Sequence, residues 1–149
     1  MEIAALPHVD EHTTTVTAGP EAVWRGLSEV LDRSFTGDRA VGYARLVGCA
    51  DSAAFGPRPL AEGSTVPGFR VASADRGREL VLVGRHYFST YALVFRLDEA
   101  GAGRTRLRAE TRARFPGPFG GLYRLCVIGT GGHAIAVRRL LAAVRRRAE

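Results

Sequence analysis

Cys126-Val127-Ile128-Gly129-Thr130-Gly131-Gly132-His133-Ala134 has two incompatible readings. Taken locally, Gly129 to Ala134 fits the pattern G-x-G-x-x-A, with Leu125 to Ile128 as the strand before it. There glycine would let a pyrophosphate approach the backbone at a helix N-terminus. That pattern carries meaning only inside a strand–helix–strand unit with an acidic ribose ligand about 20 residues further on. Only 15 residues follow Ala134, so no second strand can form, and Glu149 has nothing to position it. The spacing therefore excludes a dinucleotide site, and no cofactor is expected.

The helical reading accounts for more of the chain. After Pro116-Gly117-Pro118 no proline interrupts the sequence to Glu149. Phe119, Leu122, Cys126, Thr130, His133, Val137, Leu141 and Val144 step by three or four and share one helical face. Leu125, Ile128 and Ile135 lie on another side, which leaves a homodimer open. The expectation is one long C-terminal helix. Each internal glycine costs about 1 kcal/mol relative to alanine, so three close together imply a kink, a close neighbour or room for a ligand. The apolar run Leu125 to Val137 has 13 residues, too few to span a bilayer.

Working backwards, Arg104 to Phe115 alternates cleanly. Thr105, Leu107, Ala109, Thr111, Ala113 and Phe115 form one face; Arg106, Arg108, Glu110, Arg112 and Arg114 form the other. Such a strand is half-solvated and antiparallel. Glu110, among arginines, reads as a cross-strand ion-pair partner. Phe69 to Ala74, Glu79 to Arg85 and Phe88 to Asp98 precede it as strands, the last with Tyr91, Leu93, Phe95 and Leu97 on one face. Short glycine-containing turns between them favour a meander. Gly48 to Gly68, with four glycines and three prolines, reads as a long irregular connection and as the rim of a cavity.

The amino-terminal half supplies the rest. Val9 to Thr17 is β-branched and reads as a strand. Pro20 and Glu21 suit a helix start, followed by the stripe Val23, Trp24, Leu27, Val30 and Leu31. Asp38 to Val47 reads as a second short helix with Asp38 as cap and Val41, Leu46 and Val47 on one side.

Composition narrows the function classes. The chain has 149 residues, 46% hydrophobic and 24% charged, as expected for one globular domain spanning 1–149. All 21 basic residues are arginine and the net charge is +6. Complete replacement of lysine by arginine reflects a GC-rich coding sequence more simply than nucleic-acid binding, which is not expected. Cys49 and Cys126 are far apart, Cys126 reads as a buried free thiol, and no cysteine–histidine spacing suits a metal. Met1 to Pro7 lacks a signal-peptide pattern, so a cytoplasmic location is expected.

In order, these elements resemble the START/Bet v 1-like superfamily of polyketide cyclases and lipid-binding proteins. The resemblance is carried by Thr13-Thr-Thr-Val-Thr-Ala-Gly-Pro-Glu-Ala-Val-Trp24, by the turn and strand Gly101 to Thr111, and by the terminal helix. Leu122-Tyr123 followed by His133 is similar to an uncharacterised bacterial branch. The resemblance implies an α+β helix-grip fold: a curved antiparallel sheet wrapped around a long C-terminal helix, with an apolar cavity between them. The inward faces inferred above would line that cavity with Tyr91, Leu93, Phe95, Ala109, Thr111 and Ala113 from the sheet. The helix would add Tyr123, Cys126, Thr130 and His133.

A cavity of this kind suits binding or carriage of a hydrophobic small molecule, lipid or polyketide-like. Two other readings stay open. His133, with Tyr91 or Tyr123, could carry out cyclase- or dehydratase-type proton transfer. The Arg106, Arg108, Arg112 and Arg114 face could dock an acidic partner. His86, at a strand end, belongs at the cavity mouth or the surface.

Overall fold

The computed structural model describes residues 3–149; Met1 and Glu2, the start of the segment tested for a signal peptide, lie outside the described residues. Six strands form one sheet in the order β1-β6-β5-β4-β3-β2, antiparallel throughout. They are β1 (His8–Val16), β2 (Thr65–Val66), β3 (Phe69–Asp75), β4 (Glu79–Arg85), β5 (Thr90–Glu99) and β6 (Thr105–Arg114). The meander β3 to β6 follows the alternation seen in the sequence, and β1 closes its free side by pairing along β6.

Both faces of the sheet are covered, which explains why β4 reads as an unbroken Leu/Val run. Leu80 and Leu82 face the main core with Phe95, Leu97 and Leu107. Val81 and Val83 face the other way, with Val94 and Leu6, beneath a 3-10 turn at Ile3–Ala5.

Helix α1 (Pro20–Thr36) starts with Pro20 at its first turn and buries the predicted stripe: Val23, Trp24, Leu27, Val30 and Leu31 all belong to the main core. Helix α2 (Asp38–Leu46) corrects two details. Gly37, not Asp38, is its N-cap, and no side chain caps it. Ala44 and Val47 are its buried residues, whereas Leu46 is 79% exposed. The connection 47–64 is irregular; it bridges to the sheet at Phe55–Thr65, and its backbone also bonds to Arg85 of β4 through Ala50 and to Val71 of β3 through Gly63 and Ser64.

The long terminal helix is broken, contrary to the expectation of one continuous element. Helix α3 (Gly117–Arg124) runs into a π-helical turn at Leu125–Gly129, and α4 (Gly132–Ala148) begins after Gly131. Gly131 has φ +79°, a left-handed conformation that glycine adopts without a Cβ clash. The Thr130 hydroxyl donates to the Cys126 carbonyl at 2.6 Å, a back-bond that bends helices. The two halves meet at 50°.

The predicted common face ends at that break. Val137, Leu141 and Val144 of α4 are buried against α1 and the sheet. Phe119 and Leu122 are 75% and 58% exposed, because the π-turn changes the helical phase and the bend lifts α3 away. Leu125 and Ile135 are also exposed, and so is Cys126, which is a free thiol but not a buried one. Among the described residues no single helix is long and apolar enough to cross a membrane.

Candidate functional site

Because α4 grips only one end of the sheet, the other end is left without a packed helix. A cavity of about 760 Å³ occupies that space. Its floor is the inward face of β5 and β6: Tyr91, Leu93, Thr111 and Ala113. Its walls come from α4 and the π-turn (Val127, Ile128, Val137, Leu140) and from α2 (Ala40, Tyr43, Ala44). Phe35 and Phe69, with ring centroids 4.9 Å apart, form part of the wall at the α1 end.

The sequence-predicted lining divides in a systematic way. Tyr91, Leu93, Thr111, Ala113, Tyr123 and His133 border the cavity. Phe95 and Ala109 do not: both are wholly buried under α1 and α4, further along the same strand faces. Cys126 and Thr130 point away and are exposed, since the π-turn and the Gly131 break move them off the face they would share with His133 in a regular helix. Cys49, Pro67 and Gly68 border the cavity from the long connection, as a rim would.

Polar groups in this cavity are few and mostly engaged. The Tyr91 hydroxyl donates to the Gly68 carbonyl at 2.5 Å, and Cys49 Sγ lies 3.7 Å from the same hydroxyl oxygen. Burial, with smaller contributions from Cys49 and Tyr123, pushes the Tyr91 phenol above its ordinary range. Burial and the hydrogen bond between the Tyr43 and Tyr123 hydroxyls push Tyr123 up as well. Both phenols therefore stay protonated near neutral pH. Burial also raises the Cys49 thiol, which makes it a poor nucleophile.

One end of the cavity is aromatic. The His86 ring lies 4.8 Å from Tyr123 and 5.4 Å from Tyr91, and Phe88 stacks on Tyr123 at 5.3 Å. His86 Nδ1 accepts the Phe88 backbone N–H at 3.1 Å. Burial lowers its pKa, so it is neutral, with its proton on Nε2. His86 thus belongs to the cavity wall.

His133, at the second position of α4, brings two residues that sequence reasoning missed. Its Nε2 is 2.9 Å from Thr111 Oγ1 and 3.6 Å from Asp10 Oδ1. Asp10 Oδ2 in turn lies 3.2 Å from His12 Nε2. The signal was present in the alternation of β1: Asp10, His12, Thr14 and Val16 share a face, and Val16 is wholly buried. Burial lowers the His133 pKa; Asp10 opposes this and His12 reinforces it.

The opposite face of the sheet carries the arginines. Glu110 pairs with Arg96 at 3.2 Å, Arg112 at 3.3 Å and His8 at 2.8 Å. Arg108 pairs with Asp98 and Glu11. Arg112 and Arg114 also donate to the carbonyls of Leu6 and Ala5. Among the described residues no group of three or more His, Cys, Asp and Glu side chains is arranged to hold a metal ion.

No family model and no curated protein matches this chain. Solved structures do. TTHA0849 from Thermus thermophilus aligns over 95% of this chain and 97% of its own, at a TM-score of 0.59 and 18% identity. Mll3558 from Rhizobium loti aligns over 96% and 99%, at 0.53 and 19%. What they share with this chain is the helix-grip fold, an antiparallel sheet packed on a C-terminal helix. The Aha1 dimer from Colwellia psychrerythraea shares it, over 93% and 94%, at 0.55 and 14% identity. With identities this low the likeness extends to the helix-grip fold alone. In this chain the gripping helix is α4, and its α3 half stands away from the sheet.

Proposed function

We propose that this helix-grip protein binds or carries a hydrophobic small molecule, lipid or polyketide-like, in the cavity between β5, β6, α2 and the broken terminal helix. The observation that carries this reading is the cavity itself. About 760 Å³ lies within the range of small-molecule sites, and the walls are mainly aromatic and aliphatic. Apolar walls left to water are unfavourable, and an apolar ligand would displace that water. The polar atoms within the cavity are few, which suits orientation of an apolar ligand.

The competing readings have less support. The Tyr91 and Tyr123 hydroxyls are engaged with Gly68 and Tyr43, which disfavours either as a free acid beside His133. Docking of an acidic partner by the arginine face is disfavoured because Arg96, Arg108 and Arg112 already pair with carboxylates of the sheet. A homodimer through the exposed Leu125 and Ile135 is compatible with the binding reading.

Native mass spectrometry of protein purified from its own cells tests the proposal. The expected spectrum contains an adduct that organic extraction removes. Protein that is always empty, and takes up no apolar compound when offered lipid extract, would contradict it.

A further inference from the structure

Asp10 Oδ1 is a buried oxygen with no hydrogen-bond partner among the described residues. An unpaired buried acceptor costs about 1–3 kcal/mol, so its position calls for a reason. Its nearest prospective donor is His133 Nε2, at 3.6 Å. Asp10 Oδ1 can only accept, and the Thr111 hydroxyl, 2.9 Å from the same nitrogen, can accept as well as donate, so an N–H on Nε2 suits both. The other nitrogen, Nδ1, then carries the lone pair. Nδ1 has no partner among the described residues, and His133 borders the cavity whereas Asp10 stands behind it.

We propose that Asp10 and His133 form a proton-accepting pair that selects, among apolar ligands, those carrying an acidic hydroxyl of the phenol or enol type. The inference rests on the binding function proposed above and names the ligand chemistry of that same cavity. A ligand O–H donates to Nδ1. As the proton is drawn toward the ring, positive charge develops on the imidazole, and the Asp10 carboxyl group 3.6 Å from Nε2 favours that charge. The His12 ring, 3.2 Å from Asp10 Oδ2, holds the carboxyl in place. An ether or hydrocarbon of the same shape offers Nδ1 no proton and gains nothing from Asp10. His133 contacts the ligand; Asp10 is a positioning residue that acts through it.

The test compares 1-hydroxypyrene with 1-methoxypyrene, two apolar probes in which a methyl group replaces the hydroxyl proton, by fluorescence titration. The wild-type chain should bind hydroxypyrene about tenfold more tightly, on the order of one good hydrogen bond, with a red shift of the bound probe's absorption as its proton is shared. Asp10→Asn and His133→Phe should each bring the ratio of the two affinities, measured within the same variant, close to one and abolish the red shift. Equal binding of the two probes by wild type would overturn this inference and leave the cavity function standing. So would a preference that survives both substitutions. Binding of neither probe would sink both.

Discussion

The Tyr91 hydroxyl reaches 2.5 Å across the sheet to the carbonyl oxygen of Gly68, joining the cavity floor to its rim. Tyr91→Phe keeps the ring but leaves that carbonyl without its donor. The expected loss is about 1–2 kcal/mol in urea unfolding with an unchanged slope, and apolar-probe binding should persist. An unchanged midpoint would mean that the rim is not held by this bond.

Gly84 sits opposite Tyr91 in β4, where a Cβ would overlap the Gly68 oxygen and fall 2.5 Å from the Tyr91 ring. Backbone on one side and a tethered ring on the other leave little room to relax. Gly84→Ala should cost about 2–3 kcal/mol and weaken probe binding. Gly131→Ala meets no neighbour but imposes a left-handed backbone on alanine, for about 1 kcal/mol. Thermal unfolding of the two variants should preserve that order.

Acid should destabilise the fold in two separate ranges. Burial holds the native His133 and His86 pKa values below 6.5, so the unfolded chain binds their protons first. Their stabilisation is complete above pH 6.5 and is lost as pH falls from there through the native values. Glu110 behaves differently: burial pushes its pKa up, but hydrogen bonds from His8, Arg96 and Arg112 outweigh that and bring it below 4.5. Its share is therefore lost only below pH 4.5. Stability measured against pH should flatten just below pH 6.5 in a His86→Gln/His133→Gln double variant, with the more acidic limb below 4.5 retained.

Glu110→Ala removes the carboxylate shared by Arg96, Arg112 and His8 on the arginine face. The partners are partly exposed and can rehydrate, which keeps the loss to about 1–3 kcal/mol. Denaturant unfolding should show it, and probe binding on the far side of the sheet should not change.

The strands and α1 were legible because their residues obey one period each. The alternation of Arg104 to Phe115 and the stripe Val23 to Leu31 survive intact in β6 and α1. The terminal helix was legible only after Gly131. Before it, a period of 3.6 cannot register a π-turn, so Cys126 and Thr130 were assigned to a face they do not occupy. Phe95 and Ala109 were on the right face but at the wrong height, because where α4 stops covering the sheet depends on the direction and angle of the bend, which the glycine cluster allows without setting. Asp10 and His12 were visible in the alternation of β1, yet their meeting with His133 joins residues more than 100 positions apart.

The most direct measurement is titration of an apolar fluorescent probe, 1-methoxypyrene, into wild type and into Ala113→Trp, which places a large ring in the cavity floor. Saturable binding by wild type, reduced at least about tenfold in a folded Ala113→Trp variant, is the predicted result. Equal binding by the two proteins, or none by wild type, would contradict a ligand-holding cavity beneath the broken helix.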